Sequence, residues 1–290
     1  MSWRTVIITE QSKLDYKMGY MVVRGMETKR ILLDEIAILV IENPMISITG
    51  CLLAELSEKK VKVIFCDNKR SPISELVPYH GSHDSSAKIR AQMTWGKEIE
   101  EIVWQEIISE KIHKQVEMLQ LINRHDEAAL LLTYIAQVQP WDETNREGHA
   151  AKVYFNALFG MSFTRSADIP VNAALNYGYS LILSTFNREI AANGYLSQIG
   201  IFHDNMFNPF NLSCDLMEPF RILVDRFVYY MAPERFEKEE KHELWKILQT
   251  EVMINGERQL VINAIRIYCK SIFEAINDRD ISQILFYQFI

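Results

Sequence analysis

The sequence predicts an α+β protein, with a small β-rich N-terminal domain followed by a large all-α C-terminal domain. Before residue 80, short segments rich in β-branched residues lie between turn residues. Further along, apolar residues recur at three- and four-residue intervals, which is typical of helices. Between these regions VPYHGSHDSS (77–86) is polar and contains proline and glycine. We therefore expect a β-rich domain over residues 1–78, a linker over 79–88 and a helical domain over 89–290.

The N-terminal domain is expected to be a small sheet that pairs with its own copy. Four segments have the character of strands: TVIIT (5–9), YMVVRG (20–25), IAILVIEN (36–43) and KVKVIFCD (60–67). A helix over ISITGCLLAELSEKK (46–60) precedes the last of them. So short a domain buries little surface alone, and its strands are rich in Val and Ile. The sequence therefore predicts that this domain forms a homodimer.

The composition is that of a soluble globular protein. The 290 residues are 48% hydrophobic and 24% charged. No segment approaches the roughly 18 consecutive apolar residues that a membrane span requires. The four cysteines form no CxxC pair, so they predict neither a zinc site nor a disulfide framework. We expect a cytoplasmic protein with no membrane partner.

The charge distribution bears on whether the chain binds nucleic acid. The net charge of −7 argues against it, since phosphate binding usually requires an excess of Lys and Arg. However, residues 1–80 carry 11 basic and 10 acidic side chains, whereas the remainder carries 20 and 28. Basic clusters near residues 58–62, 68–70 and 88–97 provide candidate DNA contacts, although taken alone they favour ordinary surface. These candidates are Lys59, Lys60, Lys62, Lys69, Arg70 and Arg90.

A carboxylate opens the predicted helix in NREGHAAKVYFNALFG (145–160). Glu147 has a purely structural explanation, because an acid in the first turn of a helix is stabilised by the helix dipole. It is also a candidate metal ligand. Gly148 and Ala151 are then expected to let this helix approach the other ligands closely. His149 lies about 200° round the helix from Glu147, so we predict that it is not a ligand.

The segment DIPVNAALNYGYSLILSTFNREIAANGYL (168–196) predicts a helix with a polar stripe. Proline at 170 suits its first turn and glycine at 194 its end. Asn172, Asn176 and Tyr179 fall at i, i+4 and i+7 on one face of an otherwise apolar helix. Two interpretations remain open: these side chains bridge or cap neighbouring helices, or they line a polar site.

A second group of polar residues follows in GIFHDNMFNPFNLSCDLMEPFRILVDRF (200–227). His203 lies in a loop, and Asp215 and Glu218 are three residues apart at the start of the next predicted helix. Asp215-x-x-Glu218 also has the form of a capping box, in which both acids bond backbone N–H groups. Carboxylates combined with one imidazole suit Mg²⁺ or Mn²⁺ better than a closed zinc site, and such sites commonly catalyse phosphoryl transfer. The GxSxG, HExxH and GxxxxGK[ST] motifs of other catalytic classes are absent.

These motifs, in their order and spacing, resemble a known family: the CRISPR-associated integrase that is the catalytic subunit of spacer acquisition, and within it the branch found in type II systems. The resemblance covers essentially the whole chain. It rests on SITGCLLAELSEKKVKVIFCDNKRSP (47–72), EGHAAKVYF (147–155), NAALNYGYS (172–180), His203 and DLMEPFR (215–221).

The resemblance implies which residues hold a metal ion. The family's ligands correspond to Glu147, His203 and Glu218, and Asp215 corresponds to an accessory acidic position. Many relatives have Asp as the last ligand, where this chain has Glu218. The expected cofactor is Mg²⁺ or Mn²⁺, and the three ligands are the expected catalytic residues.

The resemblance also implies an activity and partners. The expected reaction is a transesterification that joins the 3′-hydroxyl ends of a captured double-stranded DNA fragment to the leader-end repeat of a CRISPR array in a prokaryotic cell. Homodimers bridged by a small companion subunit would form a heterohexamer, and other adaptation proteins and the RNA-guided effector nuclease are further expected partners. Two alternatives remain: a stand-alone metal-dependent DNA nuclease that activates water, and a non-catalytic scaffold whose acids are helix caps.

Overall fold

The computed structural model describes residues 3–68, 70, 72–76 and 82–290. The chain divides into two compact units, Met1–Ser85 and Ser86–Ile290. The first unit contains β-sheets and the second is mostly helical, which confirms the predicted α+β class. Residues 85–88 of the expected linker belong to a helix. Residues 79–81 lie outside the described part of the chain, so the linker as a whole stays a prediction.

The described residues of the first unit form two four-stranded sheets. One sheet has the order β1-β5-β7-β8 and the other the order β4-β3-β2-β6. In chain order these strands are β1 (Arg4–Ile8), β2 (Lys13–Lys17), β3 (Tyr20–Arg24), β4 (Thr28–Leu32), β5 (Ile36–Ile41), β6 (Ser47–Ile48), β7 (Lys62–Cys66) and β8 (Pro72–Leu76).

Burial explains the central strand of the first sheet. Every residue of β5 (IAILVI) is buried, because β5 pairs in parallel with β1 on one side and β7 on the other. Helix α1 (Gly50–Glu58) adds Leu52 and Leu56 to the same core. The Thr49 side chain caps α1 by accepting a hydrogen bond from the backbone N–H of Leu52 at 3.4 Å. The predicted strands and helix of this unit are therefore present.

Sequence patterns missed β2, β4, β6 and β8. KLDYK and TKRIL mix charged and apolar residues without a long β-branched run. Strand β8 begins at Pro72, and a proline argues against a strand unless it stands at an edge or at the first position, as it does here.

From Ser85 onward the chain is mainly helical. The described helices are α2 (Ser85–Gln92), α3 (Lys97–Leu121), α4 (His125–Ile135), α5 (Arg146–Phe159), α6 (Pro170–Ala192), α7 (Asn211–Leu216), α8 (Arg221–Met231), α9 (Lys238–Leu244) and α10 (Val261–Asp278). Helix α3 packs against α4, α5, α8 and α10, so it forms the centre of the unit. In the residues that the structure describes, no helix is both long and apolar enough to span a membrane.

Helix α6 begins and ends as its sequence predicts. Pro170 is its first residue, and Gly194 follows its end with a φ of +87°.

The C-terminal unit is not entirely helical, which corrects the all-α prediction. Strands β9 (Glu251–Ile254) and β10 (Glu257–Leu260) form an antiparallel hairpin. Asn255 and Gly256 at its turn have φ angles of 51° and 75°. Asn-Gly is the preferred pair for a two-residue hairpin turn, because both positions need positive φ. This signal was present in VMINGERQL and identifies the hairpin.

Candidate active site in the helical unit

The start of α5 is fixed by side chains other than Glu147. The Asp142 carboxylate accepts hydrogen bonds from the backbone N–H groups of Arg146 at 2.8 Å and Glu147 at 2.9 Å. The Asn145 side chain accepts from the N–H of Gly148 at 3.2 Å. Asp142 and Asn145 adopt positive φ angles of 47° and 51°, which are uncommon for non-glycine residues. Since these two residues satisfy the free N–H groups, the Glu147 carboxylate is available for other contacts.

Gly148 has a role within its own helix. A Cβ atom at this position would lie 2.5 Å from Oδ1 of Asn145. The glycine therefore makes room for the cap of its own helix. The expectation that Gly148 and Ala151 let the other ligand-bearing segments approach stays a prediction. His149 is exposed and lies near the Tyr134 ring of α4, with ring centroids 6.5 Å apart.

Glu147 and Glu218 meet at one ammonium group. Nζ of Lys111, on α3, lies 2.5 Å from Oε1 of Glu147 and also donates to Oε2 of Glu218. Oε1 of Glu218 accepts from Nε of Arg221 at 2.8 Å. Burial opposes ionisation of Glu218, but the charges of Arg221 and Lys111 outweigh it and hold its pKa below its usual range. Residues that are far apart in sequence thus form a compact charge cluster, in which Lys111 and Glu218 are buried and Glu147 and Arg221 are partly exposed.

His203 is oriented by a buried carboxylate. Its Nδ1 lies 2.5 Å from Oδ1 of Asp215, which is fully buried. Asp215 also accepts hydrogen bonds from the backbone N–H groups of Ile201, Phe202 and His203 itself. The hydrogen bond that the His203 ring donates to Asp215 raises the pKa of His203, and the negative charges of Asp215, Glu218 and Glu147 raise it further.

The capping-box explanation of Asp215 and Glu218 is wrong. Helix α7 begins at Asn211, so Asp215 lies near the end of that helix and not at the start of a new one. Its carboxylate binds the N–H groups of the loop before α7. Glu218 begins a short 3₁₀ turn, Glu218–Phe220, and its carboxylate binds two cationic side chains in place of backbone groups.

Gly200 permits the contact between Asp215 and the His203 loop. A Cβ atom at Gly200 would lie 2.3 Å from the carbonyl oxygen of His203 and 2.7 Å from Oδ2 of Asp215. Real Cβ atoms do not approach backbone oxygens so closely, so any other residue would displace the loop. Sequence reasoning missed this glycine, because a single sequence does not reveal which loop glycine lies against a buried side chain.

An aromatic stack connects the segments that carry the candidate ligands. The rings of Trp104, on α3, and Phe202 are nearly parallel, with centroids 4.3 Å apart. Trp141 stacks on Phe202 at 6.3 Å, and His203 meets Trp104 edge-on at 5.9 Å. This stack links α3, the segment before α5 and the His203 loop, so their relative positions depend on one another.

A cavity of about 210 Å³ opens beside the charge cluster. Its walls contain acidic, basic and polar side chains: Lys111, Gln115, Glu147, Ala151, Phe155, Arg165, Tyr179, Glu218, Arg221 and Asp225. Arg165 and Arg221 lie over the Tyr179 ring, with guanidinium carbons 5.4 Å and 4.8 Å from its centroid. Sequence reasoning did not select Lys111, Arg165, Arg221 or Asp225.

In the polar stripe on α6, Tyr179 lines a polar site, which is one of the two roles that the sequence left open, whereas the two asparagines bind the segment before α6. Tyr179 lines the cavity and donates its hydroxyl hydrogen to Asp225. Asn172 and Asn176 instead accept hydrogen bonds from Arg165 at 2.6 Å and 2.7 Å. The amide of Asn172 also donates to the Thr164 and Ala167 carbonyls. The two asparagines therefore position an arginine of the cavity wall.

The donor set suits a divalent cation, although no group of three or more His, Cys, Asp or Glu residues in the described part of the chain has metal-binding geometry. The Lys111 ammonium occupies the position of a cation between the two glutamates. The side-chain oxygen of buried Gln115, in the same cavity, has no hydrogen-bond partner among the described residues. His203 uses Nδ1 for its contact with Asp215, so Nε2 is the ring nitrogen that could bind a metal ion. Oxygen donors with one imidazole match Mg²⁺ or Mn²⁺.

The candidate DNA-binding residues have different environments. Lys59 pairs with Asp34 at 2.5 Å, and Arg70 pairs with Glu42 at 2.9 Å. Lys62 is buried and paired with Glu75, so it is unsuited to a DNA contact. Arg90 is exposed on α2, Lys60 interacts within the fold, and Lys69 lies outside the described residues.

Three carboxylates, a lysine and two arginines line one cavity, which is the pattern of an enzyme site suited to an anionic substrate. The family model described as "CRISPR associated protein Cas1" matches residues 5–255. A CRISPR-associated endonuclease Cas1 from Neisseria meningitidis serogroup C is 31% identical over 290 residues, covering 98% of this chain and 95% of the relative. The chain therefore belongs to the Cas1 family of CRISPR-associated proteins.

Two solved structures share the fold at low sequence identity. A casposase bound to its integration product superposes with a TM-score of 0.75 at 17% identity, covering 96% of this chain and 91% of the casposase chain. A chain of a Cas6-RT-Cas1–Cas2 complex gives a TM-score of 0.74 at 16% identity, covering 97% of this chain and 36% of its own length.

Proposed function

We propose that this protein is the metal-dependent integrase of CRISPR adaptation, which joins the 3′-hydroxyl ends of a captured DNA fragment to the CRISPR repeat by transesterification. One observation carries the proposal: Glu147 and Glu218, which lie on separate elements of the helical unit, converge on a single cation, Lys111. Glu147, His203 and Glu218 would hold a divalent ion, which would supply Lewis-acid polarisation of the phosphodiester.

The protein's own side chains account for the remaining requirements. Arg165 and Arg221 are suited to the phosphate oxygens, because guanidinium groups bind phosphate through paired N–H donors. Asp215 holds His203 in one ring orientation and tautomer. The attacking group is a DNA 3′-hydroxyl, so no side chain acts as a nucleophile.

The proposal extends to assembly. The relative that is 31% identical is aligned over nearly its whole length, and one structural neighbour is a chain of a Cas6-RT-Cas1–Cas2 complex. We propose that this chain forms homodimers through its N-terminal unit and that a small companion subunit bridges two dimers. Several subunits then share the DNA, so one subunit with a net charge of −7 remains compatible with binding. The sequence motifs resemble the branch found in type II systems. We therefore propose the other adaptation proteins and the effector nuclease of such a system as further partners.

The test is a strand-joining assay. A labelled short duplex is incubated with a plasmid that carries the repeat, with and without Mn²⁺ and the companion subunit. Labelled plasmid should appear only when metal is present. A duplex with 3′-deoxy ends should give no joined product, and cutting without joining would support the stand-alone nuclease in place of the integrase.

Three substitutions assign the site. Glu147→Ala, His203→Ala and Glu218→Ala should each abolish joining while the protein stays folded. His149→Ala is the matched control, because this neighbour of Glu147 is exposed and lies against Tyr134, and it should retain most activity. Retained joining in all three variants, or absence of any metal-dependent effect on DNA, would contradict the proposal.

A further inference from the structure

We propose that Lys111 is an exchangeable internal cation: its ammonium pairs Glu147 with Glu218 when the site holds no metal, and a divalent ion binds by displacing it. This inference rests on the proposed function, because it concerns the same metal site. It assigns a role to a residue that sequence analysis did not select.

Lys111 is buried, and its ammonium lies between the two glutamates. Its ammonium donates to one oxygen of each glutamate, and its side chain is only 9% exposed. Glu218 is 5% exposed, and its second oxygen is bound to Arg221. An unpaired buried carboxylate is strongly disfavoured, so the Lys111 ammonium balances the charge of Glu218 and holds the two carboxylates close together without a metal ion.

The charge balance of the site favours displacement of Lys111 when a divalent ion binds. The carboxylates of Glu147 and Glu218 are balanced by the cations of Lys111 and Arg221. An added divalent ion would leave an excess of two positive charges if Lys111 stayed. The ammonium already lies 2.5 Å from Oε1 of Glu147, and a metal bound to that oxygen would lie at roughly 2.0–2.6 Å from it. Two cations cannot share these oxygens without strong repulsion.

The cavity beside Lys111 provides the space that its displacement requires. Lys111 lines an open cavity of about 210 Å³, so its flexible side chain has space to move when a metal ion binds the two glutamates.

Lys114, one turn away on α3, is a natural comparison. It is 1% exposed and pairs with Glu110 at 3.1 Å and Glu117 at 2.9 Å. Neither of those acids lines the cavity, so a metal ion in the site should leave Lys114 unaffected.

The first experiment uses the unaltered full-length protein. Its lysines are acetylated briefly with an amine-reactive reagent, with and without Mn²⁺, and modification of each lysine is quantified by mass spectrometry. Lys111 should be protected without metal and become several-fold more reactive at saturating Mn²⁺, whereas Lys114 should stay protected in both states. Unchanged modification of Lys111 at saturating Mn²⁺ would overturn the inference.

The second experiment measures Mn²⁺ affinity by calorimetry. Without its competitor the site should bind more tightly, so Lys111→Met should lower the dissociation constant by about tenfold or more. Lys114→Met should stay within about twofold of the unaltered protein. Equal or weaker binding by Lys111→Met would contradict the exchange. If that variant does not fold, the labelling result decides.

The binding data also separate this inference from the proposed function. If Mn²⁺ does not bind, or binds equally to Glu147→Gln and Glu218→Gln, the metal site itself is wrong and the exchange falls with it. If binding is lost in these two variants but Lys111 stays protected, the metal site stands and only the exchange is wrong.

Discussion

Nδ1 of His203 lies 2.5 Å from Oδ1 of Asp215, a fully buried carboxylate that also binds the backbone of the loop carrying this histidine. One acid therefore sets both the path of the loop and the orientation of the ring. We expect this pair to contribute to the pH dependence of the protein's stability.

The first prediction concerns that pH dependence. Hydrogen bonding to Asp215 raises the pKa of His203 above its ordinary value of 6.5. A raised folded-state pKa means that the stabilisation is fully present below pH 6.5 and is lost as pH rises through the folded value. Burial raises the pKa of Asp215 itself, which also makes stability fall as pH rises, at the more acidic end. Asp215→Asn should therefore flatten the dependence of unfolding free energy on pH, measured by urea denaturation in EDTA.

His203→Ala provides the comparison for this prediction. It removes the titrating ring but leaves Asp215 bound to the loop N–H groups. It should flatten the curve near pH 6.5 and above. A slope in both variants equal to that of the unaltered protein would show that the pair does not control it.

The second prediction tests the close packing of Gly200. In Gly200→Ala the new Cβ would overlap the His203 carbonyl and the Asp215 carboxylate. Overpacking of this kind costs about 1–3 kcal/mol, and displacement of His203 should also reduce strand joining. Gly50→Ala is the matched control, since nothing lies within 4 Å of its added Cβ. Gly50→Ala should lose neither unfolding free energy, measured by chemical denaturation, nor joining activity. Equal losses in the two variants would count against the packing argument.

The third prediction concerns the start of α5. Asp142→Ala removes the acceptor for the N–H groups of Arg146 and Glu147. Loss of such a cap costs about 1 kcal/mol, and because Glu147 is one of these residues, joining should fall by about ten- to hundredfold. Thr49→Ala removes a comparable cap from α1 in the first unit and should lower stability without this loss of activity. Full activity of Asp142→Ala would show that Glu147 is positioned by other contacts.

The fourth prediction uses a second buried acid. Burial raises the pKa of Asp225 to about 6 from an ordinary 3.8, against the opposing effect of its hydrogen bond from Tyr179. The folded protein thus favours the protonated form, and stability is lost as pH rises from about 4 through 6. Asp225→Asn mimics the protonated acid, so it should gain stability relative to the unaltered protein over this range, by at most about 3 kcal/mol.

Asp280 provides a control of opposite sign. Hydrogen bonds from Ser282 lower its pKa, so its contribution is present above its ordinary pKa of 3.8 and is lost as pH falls. Asp280→Asn should therefore lose stability relative to the unaltered protein above about pH 4. If both asparagine variants shift in the same direction, burial is not the cause at Asp225.

Local patterns in the sequence determined the elements of this protein. The β-branched run IAILVI predicted the buried strand β5, and Pro170 and Gly194 marked the ends of α6. These features depend on residues within a few positions of one another, so a single sequence carries them. The Asn-Gly turn of the β9–β10 hairpin was equally local and was overlooked.

The sequence also supplied the candidate ligands Glu147, His203 and Glu218, through motifs whose order resembles one family. Their environments were decided by the tertiary structure. The sequence around Asp215 is compatible with a helix cap, but in the structure its carboxylate binds three N–H groups of the loop before α7. The sequence around Lys62 is compatible with a DNA contact, but in the structure this lysine pairs with Glu75 of the neighbouring strand β8.

Lys111 shows why the remainder of the site was not predictable. It is 36 residues from Glu147 and 107 from Glu218, and nothing near it in sequence distinguishes it from Lys114. A lysine on a helix is ordinarily a solvated surface residue. Only the packing of α3 against α5 and against the Glu218–Phe220 turn buries its ammonium between two carboxylates, because side-chain burial is a property of the assembled helices and not of any one of them.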